Sequence, residues 1–259
     1  MSAPRLSVVV PAYNEAAGIA DTLRALLPAI ERVGIDDHEV LVVDNASTDG
    51  TPAAVEAVGD PHVRLLQNVR NLGKGGSMRR GMLEARGELR LHCDADCGTS
   101  LVALPRLLAA LEHAHVIVGS RLAPGADVGR RQPLGRRIAG RTFVDLCRLL
   151  LREPTRDLFC GFKLWRAEAA EAAYSASRLD GWVFDAETLA LARALGYRIA
   201  EVGVPWNDRA GSRLSMPRVI VPVTLELLAA RRRVRAIADD AAAAPLVEPR
   251  VAKAAEPHG

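Results

Sequence analysis

The chain has 259 residues, of which 49% are apolar and 25% charged, with 34 Lys and Arg against 31 Asp and Glu for a formal net charge of +3. That length and apolar content suit one large α/β domain with a sizeable core and exclude a fibrous or wholly disordered chain. Aromatics make up only 4%, too few for a surface that stacks single-stranded nucleic acid, and the mild net charge requires no polyanionic partner.

Taken in chain order, "RLSVVVP" is a short continuous apolar run that predicts a buried strand. "AAGIADTLRALLPAIERV" follows with Leu23, Leu26, Leu27 and Ile30 on one helical face. "HEVLVVD" is a second strand ending at Asp44. In "NASTDGTPAAVEAV", Asp49-Gly50 marks a turn, Thr51 is placed to cap and Pro52 suits a first helical turn. "HVRLLQN" predicts a third strand, "NLGKGGSMRRGMLEA" a glycine-rich turn entering a helix, and "GELRLHC" a fourth strand. After the loop "DADCGTS" come a helix from about residue 101 and a fifth strand, "AHVIVGS". This alternation predicts a mostly parallel, three-layer α/β sheet.

Beyond residue 120 the pattern loosens. The segment around "RLAPGADVGRRQPLGRR" is rich in Gly, Pro and Arg, followed by a helix over "RTFVDLCRLLL" and a short strand in "REPTRDLFCGFKLWR". "GWVFDAETLALARALG" predicts a helix, "YRIAEVGVPW" a strand, and "PRVIVPVTLELLAARRRVRAI" a last helix. The expected organisation is a single domain over residues 1–238, with halves 1–120 and 121–238. Residues 239–259 read as a disordered tail. No apolar run reaches transmembrane length, and no signal peptide precedes the first strand, so a reducing cytoplasmic setting with four free cysteines is expected.

Chemistry concentrates at predicted strand ends, where an open α/β sheet binds ligands. Asp94 and Asp96 follow the fourth strand, and residues i and i+2 of an extended backbone point the same way. Two such carboxylates suit a Mg²⁺ or Mn²⁺ ion and the phosphates on it; the other reading is an acidic turn that caps a helix. Tyr13 and Glu15 at the first strand end suit a base and a ribose, or Asn14 caps the helix that follows. Asp44 can accept hydrogen bonds from a nucleoside. Neither the dinucleotide fingerprint G-x-G-x-x-G nor a P-loop occurs. Lys74 in "GKGG" either approaches phosphate or faces water. The six histidines lack a carboxylate partner at motif spacing and read as non-catalytic. No G-x-S-x-G elbow supports hydrolase chemistry. A phosphate acceptor would need a cationic seat, and the second half supplies Arg130, Arg131, Arg136, Arg137 and Arg141. A hydroxyl acceptor would need a base, for which Asp157, Asp185 and Glu187 are available.

The stretches "VVVPAYNE", "VVDNASTDGT", "NLGKGGSMRRGM", "DADCGTS" and "VGSR", followed by "DLFCGFKLWR", "GWVFDAETL" and "EVGVPWNDRAGSRLS", resemble the family-2 inverting glycosyltransferases of the GT-A (nucleotide-diphospho-sugar transferase) fold. The nearest branch is the dolichyl- and polyprenyl-phosphate β-glucosyltransferases, and the resemblance covers residues 6–215. It implies that Pro11, Tyr13, Glu15 and Asp44 bind the nucleoside of a nucleotide sugar such as UDP-glucose. It places Asp94 and Asp96 at the ribose-diphosphate and its metal, Arg121 near the acceptor phosphate, and Asp185 and Glu187 near the sugar and the metal. Arg209 and Arg213 would belong to a basic loop closing on the phosphates, Arg213 standing where relatives carry lysine. The implied acceptor is a lipid phosphate. Read from the residues, the apolar segment with Arg231, Arg232, Arg233 and Arg235 either lies in a membrane interface or packs on the sheet with its basic end in water.

Overall fold

The computed structural model describes residues 3–95, 98–129, 134–206 and 220–243. Asp96, Arg130, Arg131, Arg209 and Arg213 lie outside them. The first half builds β1 (Leu6–Ala12), α1 (Ile19–Glu31), β2 (His38–Asp44), α2 (Thr51–Glu56), β3 (Val63–Gln67), α3 (Gly73–Glu84), β4 (Leu89–Cys93), a 3-10 turn over Gly98–Ala103, α4 (Leu104–Ala110) and β5 (Val116–Ser120). The second half adds β6 (Asp127–Val128), α5 (Leu134–Leu151), β7 (Phe162–Arg166), α6 (Ala167–Ala176), α7 (Phe184–Ala194), β8 (Ile199–Gly203), β9 (Pro205–Trp206) and α8 (Ile220–Ala243).

The main sheet has seven strands in the order β3-β2-β1-β4-β7-β5-β8. All pairings are parallel except those of β7, which runs antiparallel between β4 and β5. The sheet is buried on both faces, which is why β1, β2 and β5 read as continuous apolar runs. Alternate residues feed two cores: Val8 and Val10 pack with Leu23, Leu26 and Ile30 of α1 on one side. Val9, Leu41 and Val43 pack with Met78 and Met82 of α3 on the other, in the cluster that also takes in Leu189 of α7 and Leu227 of α8. These are the three expected layers.

Six expectations are corrected. Asn14 does not cap α1, whose N-cap is Gly18, and Thr51 is the first residue of α2 rather than its cap. Helix α5 begins seven residues before "RTFVDLCRLLL", and α6 was not anticipated at all. Helix α8 continues to Ala243, past the expected start of the tail, and takes Pro222 within its first turn, where a missing N–H costs little. Cys93 is disulfide-bonded, so the four cysteines are not all free. Cys147 and Cys160 are free and buried, and burial pushes both thiols up to about 12, which leaves them as neutral packing groups.

Candidate active site

Strand order reverses at β1: β2 and β3 lie on one side of it and β4 on the other. The crevice outside the carboxyl ends of β1 and β4 is therefore the topological switch point, the usual ligand site of such sheets. Asp44, Asp94 and Arg121 stand at or directly after the ends of β2, β4 and β5, so the sheet brings them to one edge. At the β1 end, Asn14 holds a left-handed φ of 55° and the backbone turns toward the β2–α2 loop. The Asn14 N–H donates to Ser47 Oγ at 2.9 Å, and Asn14 Oδ1 accepts the Thr48 N–H at 2.9 Å. The Glu15 N–H donates to Thr51 Oγ1 at 2.9 Å. Two loops are thereby locked together beside Pro11, Tyr13 and Asp44. Tyr13 is 45% exposed. Asp44 is buried; its Oδ2 accepts the Ser47 N–H, while its Oδ1 has no hydrogen-bond partner. A buried acceptor left unsatisfied is costly, and a ligand N–H or O–H would satisfy it.

Asp94 is the centre of the second cluster. Its backbone N–H donates to Gly161 O at 2.9 Å, and its carboxylate lies so close over Gly161 that a Cβ there would collide with it. Lys74 Nζ sits 2.8 Å from Asp94 Oδ1 and 2.9 Å from Oδ2. His92 Nε2 lies 3.0 Å from Oδ1. Burial alone would raise the Asp94 pKa, but Lys74 and His92 outweigh it and hold the carboxyl well below the usual range. Burial lowers the His92 pKa despite its bond to Asp94, so the imidazole is neutral. Lys74 does not face open water. Its ammonium also lies 5.2 Å from the Trp182 ring centroid, and its helix is pinned by the Gly75 N–H donating to Asp180 O at 2.8 Å.

Arg121 grips Asp157 in a fork, Nε to Oδ2 at 2.8 Å and Nη2 to Oδ1 at 2.6 Å, and stacks 5.2 Å from the Trp206 centroid. Burial works against the cation, but the Asp157 bonds outweigh it and raise the Arg121 pKa. Asp157 also accepts the Arg121 backbone N–H, so both its oxygens are committed to Arg121. Arg141 is exposed on α5.

Asp185 and Glu187 are not brought together. Asp185 Oδ1 accepts Lys163 Nζ at 2.5 Å inside the core behind Asp94. Glu187 is fully buried elsewhere: Oε2 accepts Ser177 Oγ and the N–H groups of Arg178 and Leu179, and Oε1 takes the Arg233 guanidinium. In the structure Glu187 anchors the 177–180 loop to α8. Arg233 is likewise committed to Glu187 and not free for headgroups. Sequence reasoning missed three residues. His92 does have a carboxylate partner, two residues on; Lys163 pairs with Asp185; and Asn45 ties Asn68, Asn71 and Leu72 together under the α3 turn. The histidine adjacent to D-x-D was the one visible signal.

Residues 7–173 match the model of Glycosyl transferase family 2. The chain is 32% identical over 228 residues to Glycosyltransferase AglD of Haloferax volcanii, covering 86% of this chain and 36% of that protein. It is 35% identical over 230 residues to the Dolichyl-phosphate beta-glucosyltransferase of Mus musculus, covering 81% and 69%. The chain thus spans from about a third to about two thirds of the length of the curated relatives it matches. Among solved structures, glucosyl-3-phosphoglycerate synthase from Mycobacterium tuberculosis, in complex with Mn²⁺, UDP-glucose and phosphoglyceric acid, superposes with a TM-score of 0.58 at 21% identity over 93% of this chain and 81% of that one. The fold is a GT-A-like nucleotide-sugar transferase fold. The chain belongs to glycosyl transferase family 2, related to the dolichyl- and polyprenyl-phosphate β-glucosyltransferases.

Proposed function

We propose that this domain moves a glucosyl group from UDP-glucose to a lipid phosphate, with inversion at the anomeric carbon. The observation that carries the reading is the pairing, at one sheet edge, of an unsatisfied buried acceptor on Asp44 with the Lys74–Asp94 pair. The first suits a nucleoside N–H; the second offers an ammonium to a diphosphate. The name of the mouse relative supports the sugar and the lipid phosphate, and the UDP-glucose bound in the mycobacterial enzyme supports the nucleotide.

The donor set is suited in part to a divalent cation. Carboxylate oxygens are hard donors of the kind Mg²⁺ and Mn²⁺ take. Lys74 already covers both Asp94 oxygens, and no group of three metal-binding side chains occurs among the described residues. In this reading Asp96 is the carboxylate left for the ion, and Asp94 acts through Lys74. The ion, when bound, would neutralise the charge on the diphosphate leaving group. Lys74 would add a second positive charge on the same group. Arg121, braced by Asp157 and Trp206 with a third of its side chain exposed at 32%, would seat the acceptor phosphate. A phosphate is anionic near neutral pH and needs no base, which agrees with the commitment of Asp157 and Glu187 to other partners.

A second reading, a soluble phosphorylated acceptor, rests on α8. Its Val223, Leu227 and Ala230 are buried in the helical layer, and no described helix is long and apolar enough to cross a membrane. The test is incubation with Mn²⁺, UDP-glucose or GDP-mannose, and either polyprenyl phosphate in vesicles or a soluble phosphorylated acceptor, with products identified by mass and the anomer by NMR. Glucosylated polyprenyl phosphate of inverted configuration is expected. Preference for GDP-mannose would overturn the donor, and product from the soluble acceptor alone would overturn the lipid.

The contact of Asp94 with Gly161 yields a separate expectation. In Gly161→Ala the methyl would displace the carboxylate, the free end of a side chain, rather than the backbone. The melting temperature should fall modestly, because the displaced carboxylate gives up its bonds to Lys74 and His92, while turnover falls by about 10²-fold, the scale of an ångström misplacement. Thermal melts and kcat on the same preparation check it.

A further inference from the structure

Behind the Lys74–Asp94 pair the sheet core holds polar groups that the transfer reaction does not use directly. His92, Lys163 and Asp185 are all buried, at 0%, 0% and 2% exposure. Antiparallel register sets His92 of β4 opposite Lys163 of β7. Lys163 Nζ donates to Cys160 O at 2.6 Å and to Asp185 Oδ1 at 2.5 Å. Asp185 Oδ1 lies 3.6 Å from His92 Nδ1, and His92 Nε2 lies 3.0 Å from Asp94 Oδ1. Five side chains, from β4, β7, α7, α3 and the loop after β4, thus line up from the core to the crevice, with a 3.6 Å gap between Asp185 and His92.

A buried ion pair is poor value as a stabiliser, because apolar residues of similar volume often serve as well. Its connection is more informative. The carboxylate of Asp94 accepts hydrogen bonds, so the ring proton must sit on Nε2. Nδ1 is then a buried lone pair without a donor, as observed. Lys163 on Asp185 Oδ1 makes that oxygen a weak competitor for the ring proton, which keeps the tautomer facing Asp94.

We propose that His92 is a positioning residue: backed by the Lys163–Asp185 pair, it fixes the Asp94 carboxylate so that both oxygens receive Lys74. The consequence for turnover rests on the glucosyl-transfer reading; the effect on Lys74 does not. His92→Leu removes the donor, and His92→Gln restores an amide N–H at the same reach. The first readout is the rate of Lys74 acetylation by acetic anhydride, followed by mass spectrometry without nucleotide or metal. The second is kcat and the donor KM per folded molecule, with thermal melts fixing the folded fraction.

In His92→Leu, Lys74 acetylation should rise several-fold. Its kcat should fall about 10- to 100-fold, as for supporting partners of ligand groups, with KM little changed. His92→Gln should recover most of both. Should His92→Leu not fold, Lys163→Met takes its place: it frees Asp185 Oδ1 to compete for the ring proton, and Lys74 acetylation should rise there as well. Unchanged acetylation and kcat per folded molecule, or equal impairment in Leu and Gln, would overturn the proposal in favour of a packing role. A wild type without glucosyl transfer defeats the functional reading alone, and the acetylation arm still decides this one.

Discussion

Asp94→Asn is expected to lower kcat/KM by about 10²- to 10³-fold, equivalent to about 3–4 kcal/mol of transition-state stabilisation. The replacement is isosteric, so the contact with Gly161 and the backbone bond from Asp94 to Gly161 survive. What goes is the charge. Lys74, held at 2.8 and 2.9 Å from the two carboxylate oxygens, loses its counter-ion and a fixed position over the crevice. His92 Nε2 loses a charged acceptor for a neutral one. The same variant predicts a pH dependence of stability. The Asp94 pKa lies well below its unfolded value of about 4, so its contribution is complete above that value and is lost as pH falls through the acid range. Wild type should therefore exceed Asp94→Asn in stability by a constant margin near neutrality, and the margin should shrink below about pH 4. Steady-state kinetics and denaturant melts from pH 3 to 7, as about the accessible range, check both parts. Equal activity in the two proteins, or a margin that grows in acid, would contradict the assignment of Asp94.

The residues differ in how far they were legible. β1, β2 and β5 announced themselves because strands buried on both faces need apolar residues throughout. Asp44 and Asp94 were legible because a carboxylate after such a run lies at the ligand edge. β7 was legible as a strand but not as the antiparallel one between β4 and β5, since nothing local encodes direction. That direction is what sets Lys163 opposite His92, so the support of Asp94 was hidden along with it. Lys74 offered two readings because its partner lies twenty residues on, across the sheet edge. Glu187 is a different kind of case. "FDAE" was already read as helical, and helical residues two apart point about 200° from one another. The helix period, applied to that pair, sets the two carboxylates on different faces of α7.

Glu187→Ala is expected to destabilise the protein by about 3–5 kcal/mol, the cost of breaking a buried ion pair from one side. Glu187 is fully buried and collects five hydrogen bonds: three on Oε2 from Ser177 and the 178 and 179 amides, and two on Oε1 from Arg233. Its loss leaves the buried Leu179 N–H without an acceptor and Arg233 without its partner. At about 2–4 °C per kcal/mol for a chain of this size, the melting temperature should drop by roughly 6–20 °C. A double-mutant cycle with Arg233→Met divides the effect. Arg233 keeps 28% of its side chain exposed, so water partly rescues it, and the coupling should be smaller than the total. Most of the cost should then belong to the 177–180 turn. That turn carries Asp180, whose carbonyl holds the Gly75 amide, and runs into Trp182 beside Lys74. A loosened turn should therefore reach the crevice: at temperatures where Glu187→Ala remains folded, its Lys74 should be acetylated faster than in wild type, whereas Arg233→Met should leave that rate nearly unchanged. If both variants expose Lys74 equally, the anchor is α8 as a whole and not the turn.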